Sequence, residues 1–222
     1  MLKSFFAALA LVAAPAAADE AAAPLPVPAF DATLANGGSE TAVLAGGCFW
    51  GMQGVFQRVK GVKQVLAGYS GGGAASAHYE DVGTGTTGHA ESVQVVFDPH
   101  VVAYGRILQV YFSVMDPTTL NYQGPDAGTQ YRSEIFAADD AQRRTAEAYI
   151  AQLAKARIFA SPIVTRVSMA RGFYPAEGYH QDYLLHHPDQ PYIVVNDLPK
   201  VEKLRRFYPQ LYRDRPVTVA QR

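Results

Sequence analysis

The chain is expected to fold as one α+β domain: a two-layer sandwich of mixed sheet and helices with a ferredoxin-like, split βαβ core and an irregular C-terminal segment. Three observations predict this. Strand and helix periodicities are intermingled in an order near β-α-β-β-α-β-α-β, closer to a split βαβ unit than to a doubly wound sheet. About 200 residues follow an apolar N-terminal segment, enough for one domain with a sizeable core. The composition is that of a globular protein, 49% hydrophobic and 18% charged. A net charge of −1 predicts no strong attraction to nucleic acid or to an anionic membrane.

The elements follow in order. Lys3 precedes an apolar run over residues 5–14 and small residues ending Ala16-Ala17-Ala18, so residues 1–18 read as a secretory signal peptide. The run falls short of the roughly 20 apolar residues needed to cross a membrane. The mature protein is thus expected in a periplasm or secreted, with no stable membrane association. Residues 19–38, rich in Ala and Pro, read as a flexible leader. Residues 41–45 form a short apolar strand that runs into Gly46-Gly47, and residues 48–59 switch to helical spacing through Phe49, Met52 and Phe56.

Residues 62–70 and 92–97 read as strands flanking a long polar loop, the second stopped by Asp98-Pro99. Tyr104, Ile107, Leu108, Tyr111, Phe112 and Met115 mark one face of a helix that ends at Asp116-Pro117. Residues 131–137 are expected as a strand. Asp139 or Asp140 can cap the next helix, whose stripe is Ala146, Tyr149, Ile150 and Leu153. Residues 163–169 are a further strand, and short irregular or helical pieces follow around 177–185 and 200–207.

The chain has one cysteine and one tryptophan, and they lie together in GGCFWG, residues 46–51. A lone thiol in an exported protein cannot form an internal bridge, which leaves a buried small hydrophobe or a reactive group. Cys48 falls at a strand-to-helix junction, where free backbone N–H groups and the macrodipole favour an anion, so its thiol pKa is expected to fall. Gly46 and Gly47 are expected to leave room for a substrate. Phe49 and Trp50 point about 100° apart on a helix, so at least one of them borders the thiol.

Other motifs carry less. GTGTTG at residues 83–88 has the dinucleotide spacing, but a strand rather than a helix follows it. His89-Ala90-Glu91 is half of a zinc-deaminase signature whose other half needs cysteines the chain lacks. His186 and His187 are adjacent and do not share a helix face, so no metal site is expected. A cysteine hydrolase pairing Cys48 with His89 or His180 remains open on these residues.

GGCFWG, GHAESVQVVFDP, DPTTLNYQGPDAGTQYRSEIF and FYPAEGYHQDYL, in that order, resemble peptide methionine sulfoxide reductase A. The likeness runs from about Thr41 to Arg213 and implies a catalytic domain over residues 39–213, with residues 214–222 a tail. It implies Cys48 as nucleophile and Phe49 and Trp50 as the pocket for the substrate's methyl group. Tyr79, Glu91 and Tyr131 then hydrogen-bond and protonate the sulfoxide oxygen, Asp126 lines the site, Gly47 lends backbone freedom, and His180 matches a further motif. If Glu91 lies in a water-poor pocket, desolvation raises its pKa and keeps it a proton donor.

The implied substrate is methionine-S-sulfoxide, free or in oxidised proteins, and the implied role is repair. No bound cofactor is expected. The C-terminal stretch has no second cysteine, so an external thiol, a thioredoxin-like protein or dithiothreitol in vitro, must reduce the Cys48 sulfenic acid. A monomer is expected. Met115, Pro125 and Gly178 depart from the family's common histidine, asparagine and acidic residue. A redox-sensing thiol module on the same fold, with weak catalysis, is the alternative.

Overall fold

The computed structural model describes residues 21–32 and 38–219; the expected signal peptide lies outside them. The first four core elements are β1 (Glu40–Gly46), α1 (Phe49–Phe56), β2 (Val62–Ser70) and the short α2 (Tyr79–Gly83). β3 (Ala90–Phe97), α3 (Tyr104–Val114) and a two-stranded hairpin, β4 (Tyr122–Gln123) and β5 (Asp126–Ala127), come next. The chain continues through β6 (Ser133–Ala137), α4 (Asp140–Lys155), β7 (Arg166–Met169), β8 (Tyr174–Pro175), α5 (Tyr183–His186) and α6 (Leu198–Phe207).

Six strands form one sheet in the order β7-β6-β1-β3-β2-β8. Its central four, β6-β1-β3-β2, are antiparallel throughout. With α1 and α3 as the connections, that is the split βαβ arrangement expected from the pattern. β7 joins β6 in parallel after the α4 crossover, and β8 extends the opposite edge.

Alternation along the strands sorts the sheet's two faces. Ala42, Leu44, Val65, Ala67, Val93, Val95 and Ile135 enter the main core with α1, α3, α4 and α6, whereas Val43, Ala45, Ala90 and Phe136 form a small cluster elsewhere. α4 is capped as read, with Asp139 Oδ1 accepting from the Gln142 N–H at 2.8 Å.

Four local readings change. The helix after Cys48 stops at Phe56, and turn hydrogen bonds carry the chain on to Val59. Tyr131 ends a three-residue turn that follows Gly128, whose φ of 141° favours glycine, so its strand begins at Ser133. The strand expected from residue 163 begins at Arg166. The supposed polar loop before β3 contains α2.

Residues 21–32, read as a flexible leader, are packed along the helical layer. Ala21 and Leu25 are buried. Gln109 donates to the Leu25 carbonyl at 2.6 Å and Tyr149 to that of Pro26 at 2.8 Å. The Leu25 N–H donates to the Tyr208 hydroxyl, and the Gly105 N–H to Asp31. Pro-rich backbone has fixed φ and little entropy to lose on docking, while its carbonyls remain available as acceptors.

Candidate active site

β1 delivers the chain to a tight turn at Gly47, whose φ is 86°, and Cys48 then occupies the cap position of α1. The glycines do not open space. A Cβ at Gly46 would press on Met52, Tyr111 and Met115, and one at Gly47 would run into Gln123. Both positions are filled by neighbours, so these glycines permit packing and the turn.

Cys48 is 7% exposed. Its thiol is pushed well up, first by burial and then by Glu91 and Asp197; Lys200 and the Trp50 backbone N–H act the other way. The expected downward shift from the helix start is therefore overturned in the resting protein. Removing the sulfur from water outweighs the N-terminal dipole.

Glu91 projects from β3 onto the same turn. It is 4% exposed and its Oε2 accepts from the Phe49 N–H at 3.0 Å, satisfying one free donor of α1. Its pKa is raised to about 8, first by burial and then by Asp126 and Asp197, against the lowering effects of that hydrogen bond and of Lys200. At neutral pH the carboxyl holds its proton, which removes its charge from beside the thiol.

Phe49 is fully buried, its ring 5.8 Å from Tyr69 and 5.0 Å from His180. Trp50 is partly exposed and stacks on Tyr183 at 3.8 Å, with Tyr192 edge-on at 6.0 Å. Trp50 Nε1–H donates to His180 Nδ1 at 3.1 Å, which puts the single N–H proton of a neutral imidazole on Nε2. His180 is buried, and burial lowers its pKa. Its ring lies 4.5 Å from that of Tyr79.

Tyr79, from α2, and Tyr131 have phenols raised first by burial and then chiefly by Glu91, with Cys48 also contributing. Asp126, on the hairpin, accepts from the Tyr192 hydroxyl. The residues read from the sequence therefore converge on the start of α1. A groove of about 640 Å³ around Arg132, Glu134, Arg166 and Arg171 contains none of them.

Sequence reading missed Tyr192, Asp197 and Lys200, all in PYIVVNDLPK. Asp-Leu-Pro-Lys does carry a signal, an acid just before a proline at a helix start. Glu177, also missed, accepts from the Tyr79 N–H at 3.0 Å and the Tyr69 hydroxyl at 2.8 Å. Gln53 of α1 and Gln57 just beyond its end bind Gln181 and Asp182 and so attach this C-terminal segment to the catalytic helix.

The family profile described as "Peptide methionine sulfoxide reductase" matches residues 40–211. The chain is 60% identical over 183 residues to peptide methionine sulfoxide reductase MsrA 2 of Mesorhizobium japonicum, covering 82% of this chain and 94% of that one. It is 51% identical to the Synechocystis sp. protein of the same name, covering 77% and 80%. The reduced form of Mxr1 from Saccharomyces cerevisiae has a TM-score of 0.62 at 34% identity, covering 68% of this chain and 87% of that chain. Methionine sulfoxide reductase A of Corynebacterium diphtheriae gives 0.60 at 34%, covering 75% and 84%. With a profile that spans β1 to the residues beyond α6 and relatives matched over most of both chains, this chain belongs to the peptide methionine sulfoxide reductase family.

Proposed function

We propose that the protein reduces methionine-S-sulfoxide, free or in oxidised proteins, and so repairs oxidative damage. The observation that carries this reading is the buried Glu91 carboxyl, anchored on the Phe49 N–H beside the only thiol of the chain, where burial pushes its pKa up to about 8. A sulfoxide has a partly positive sulfur and a partly negative oxygen. Its reduction needs a nucleophile at one and an acid at the other.

Cys48 attacks the sulfoxide sulfur as thiolate while Glu91 gives its proton to the oxygen, and the thiol proton replaces the one Glu91 has given. Tyr79 and Tyr131 donate hydrogen bonds to the oxygen as charge gathers there. Trp50, held by His180 and Tyr183, and the buried Phe49 accommodate the methyl group. The attack joins Cys48 Sγ to the substrate sulfur; the protonated oxygen then leaves that sulfur with its bonding pair and bonds to Cys48 Sγ as a sulfenic acid, while the sulfur–sulfur bond breaks and its pair stays on the methionine sulfur. Cys48 is oxidised by two electrons and methionine is released as the thioether.

No second cysteine is present to resolve the sulfenic acid. An external thiol attacks it, releasing water and forming a mixed disulfide, and a second thiol frees Cys48. A thioredoxin-like protein fits this role in the cell and dithiothreitol in vitro. A peroxide sensor uses an exposed thiol of low pKa, whereas Cys48 is buried and raised, which favours the reductase over the sensor. The N-terminal 18 residues direct export in this proposal, and the mature protein begins at Asp19; the N-terminal mass of the exported product tests that.

The activity test is turnover of an S-sulfoxide peptide with dithiothreitol. Methionine is expected from wild type and none from Cys48→Ser. No product from wild type, or an equal yield from the variant, contradicts the reading.

A further inference from the structure

The first turn of α1 carries a charge pair that the reaction above does not use. Asp197 ends the irregular turn leading into α6 and is 0% exposed. Its Oδ1 accepts from Lys200 Nζ at 3.1 Å, while Oδ2 has no hydrogen-bond partner. Although placed at the start of α6, Asp197 makes no side-chain cap to that helix. Lys200 is 14% exposed.

Both groups press on α1 at Gly51, three residues after Cys48. A Cβ there would overlap the Asp197 carboxylate and come within 3.1 Å of Lys200 Nζ. Gly51 lies inside the helix and outside the set of positive-φ glycines, so space, not backbone conformation, requires it. Burying an ion pair seldom adds net stability, and this one leaves a carboxylate oxygen unbonded. Structural cohesion is thus a poor account of the pair.

The surroundings of Cys48 supply another. Glu91 faces it from β3, Tyr79 from α2, Tyr131 from the turn after the hairpin, and Tyr192, Asp197 and Lys200 from the C-terminal segment; Asp126 acts on Glu91, and His180 lies against Phe49. Carboxyls and phenols dominate, and Lys200 is the cation that acts on both Cys48 and Glu91. Attack on a sulfoxide requires a thiolate in this setting, and a buried anion needs a compensating charge.

We propose that Lys200, held by Asp197 against the glycine at the first turn of α1, is a positioning residue that supplies the counter-charge for the Cys48 thiolate. Asp197 fixes the place of the ammonium and Lys200 contributes its sign. The consequence for turnover rests on the reductase reading; the consequence for thiol reactivity does not.

The test is the rate of Cys48 alkylation by iodoacetamide in the full chain, across about pH 5 to 10. Wild type, Lys200→Met and Lys200→Arg are compared, each also in a Glu91→Gln background so that Glu91's own titration is separated. Lys200→Met is expected to alkylate at least about threefold more slowly at pH 7, as for a thiol pKa moved up by about half a unit or more. Lys200→Arg restores most of the rate. If Lys200→Met does not fold, Gly51→Ala, which keeps both charges and displaces them, must move the profile the same way.

A Lys200→Met profile superimposed on wild type overturns the proposal, as does an arginine variant no faster than methionine. Sulfoxide turnover by the same preparations separates the two claims. Normal turnover with an unmoved profile sinks this inference alone. A moved profile for Lys200→Met, where wild type itself yields no methionine, sinks the reductase reading alone.

Discussion

The two halves of the candidate site are built differently. Cys48 and Glu91 come from the junction of β1 with α1 and from β3, central elements whose places are fixed by ladder hydrogen bonds and a continuous apolar core. Tyr192, Asp197 and Lys200, with His180, come from a C-terminal segment of short turns and helices fastened to α1 by polar side chains. Gln53 donates to the Val65 carbonyl and Gln181 and accepts from the Asp182 N–H. The difference teaches a division of labour: reacting groups stand on sheet and helix junctions, and the groups that tune charge and orient rings are brought to them by a C-terminal segment that adds a polar seam to its apolar contacts.

That division ranks the expected effects of mutation. Cys48→Ser should abolish methionine formation at every pH, with folding unchanged by circular dichroism. Glu91→Gln should slow sulfenic acid formation by about 10²- to 10⁴-fold at pH 7, the range for loss of a general acid. In wild type, that step should fall as pH rises through about 8, because only protonated Glu91 donates. The same titration bears on stability. A carboxyl raised on folding contributes stability fully below its unfolded pKa of 4.5 and loses it as pH rises through about 8. Glu91→Gln should therefore melt no lower than wild type at pH 8; a marked loss of Tm would make the carboxyl structural.

Smaller effects should come from the seam. Gln53→Ala leaves buried partners unsatisfied and should cost about 1–3 kcal/mol in denaturant unfolding. The folded fraction should keep most of its single-turnover rate. Tyr192→Phe removes the hydrogen bond to Asp126 and should slow turnover by only about fivefold, the equivalent of roughly 1 kcal/mol. A loss as deep as that of Glu91→Gln would erase the distinction between the two halves.

The same division explains what was legible. The apolar run of β1, the strand pattern of β3 and the 3.6-residue stripe of α3 belong to elements buried in the centre of the fold, so hydrophobic patterning reports them. GGCFWG and the Glu91 strand were legible for that reason and through the family motifs. PYIVVNDLPK was not, because its buried Asp197 and Lys200 are charged and its backbone is irregular; solvation normally puts such residues outside. The reading of the thiol erred in sign because a sequence shows a helix start but not the burial and neighbouring carboxyl that oppose it. The leader erred similarly: its docking depends on Gln109, Tyr149 and Tyr208 far along the chain.

The most direct test of the account is the mass of Cys48 after one turnover of an S-sulfoxide peptide without reductant, with a dimedone trap to capture sulfenic acid. The account predicts one trapped sulfenic acid on Cys48 for each methionine released, and a thiol restored by dithiothreitol when the trap is left out. Methionine released with Cys48 unmodified, or oxygen appearing on Cys48 from peroxide but not from sulfoxide, would contradict it.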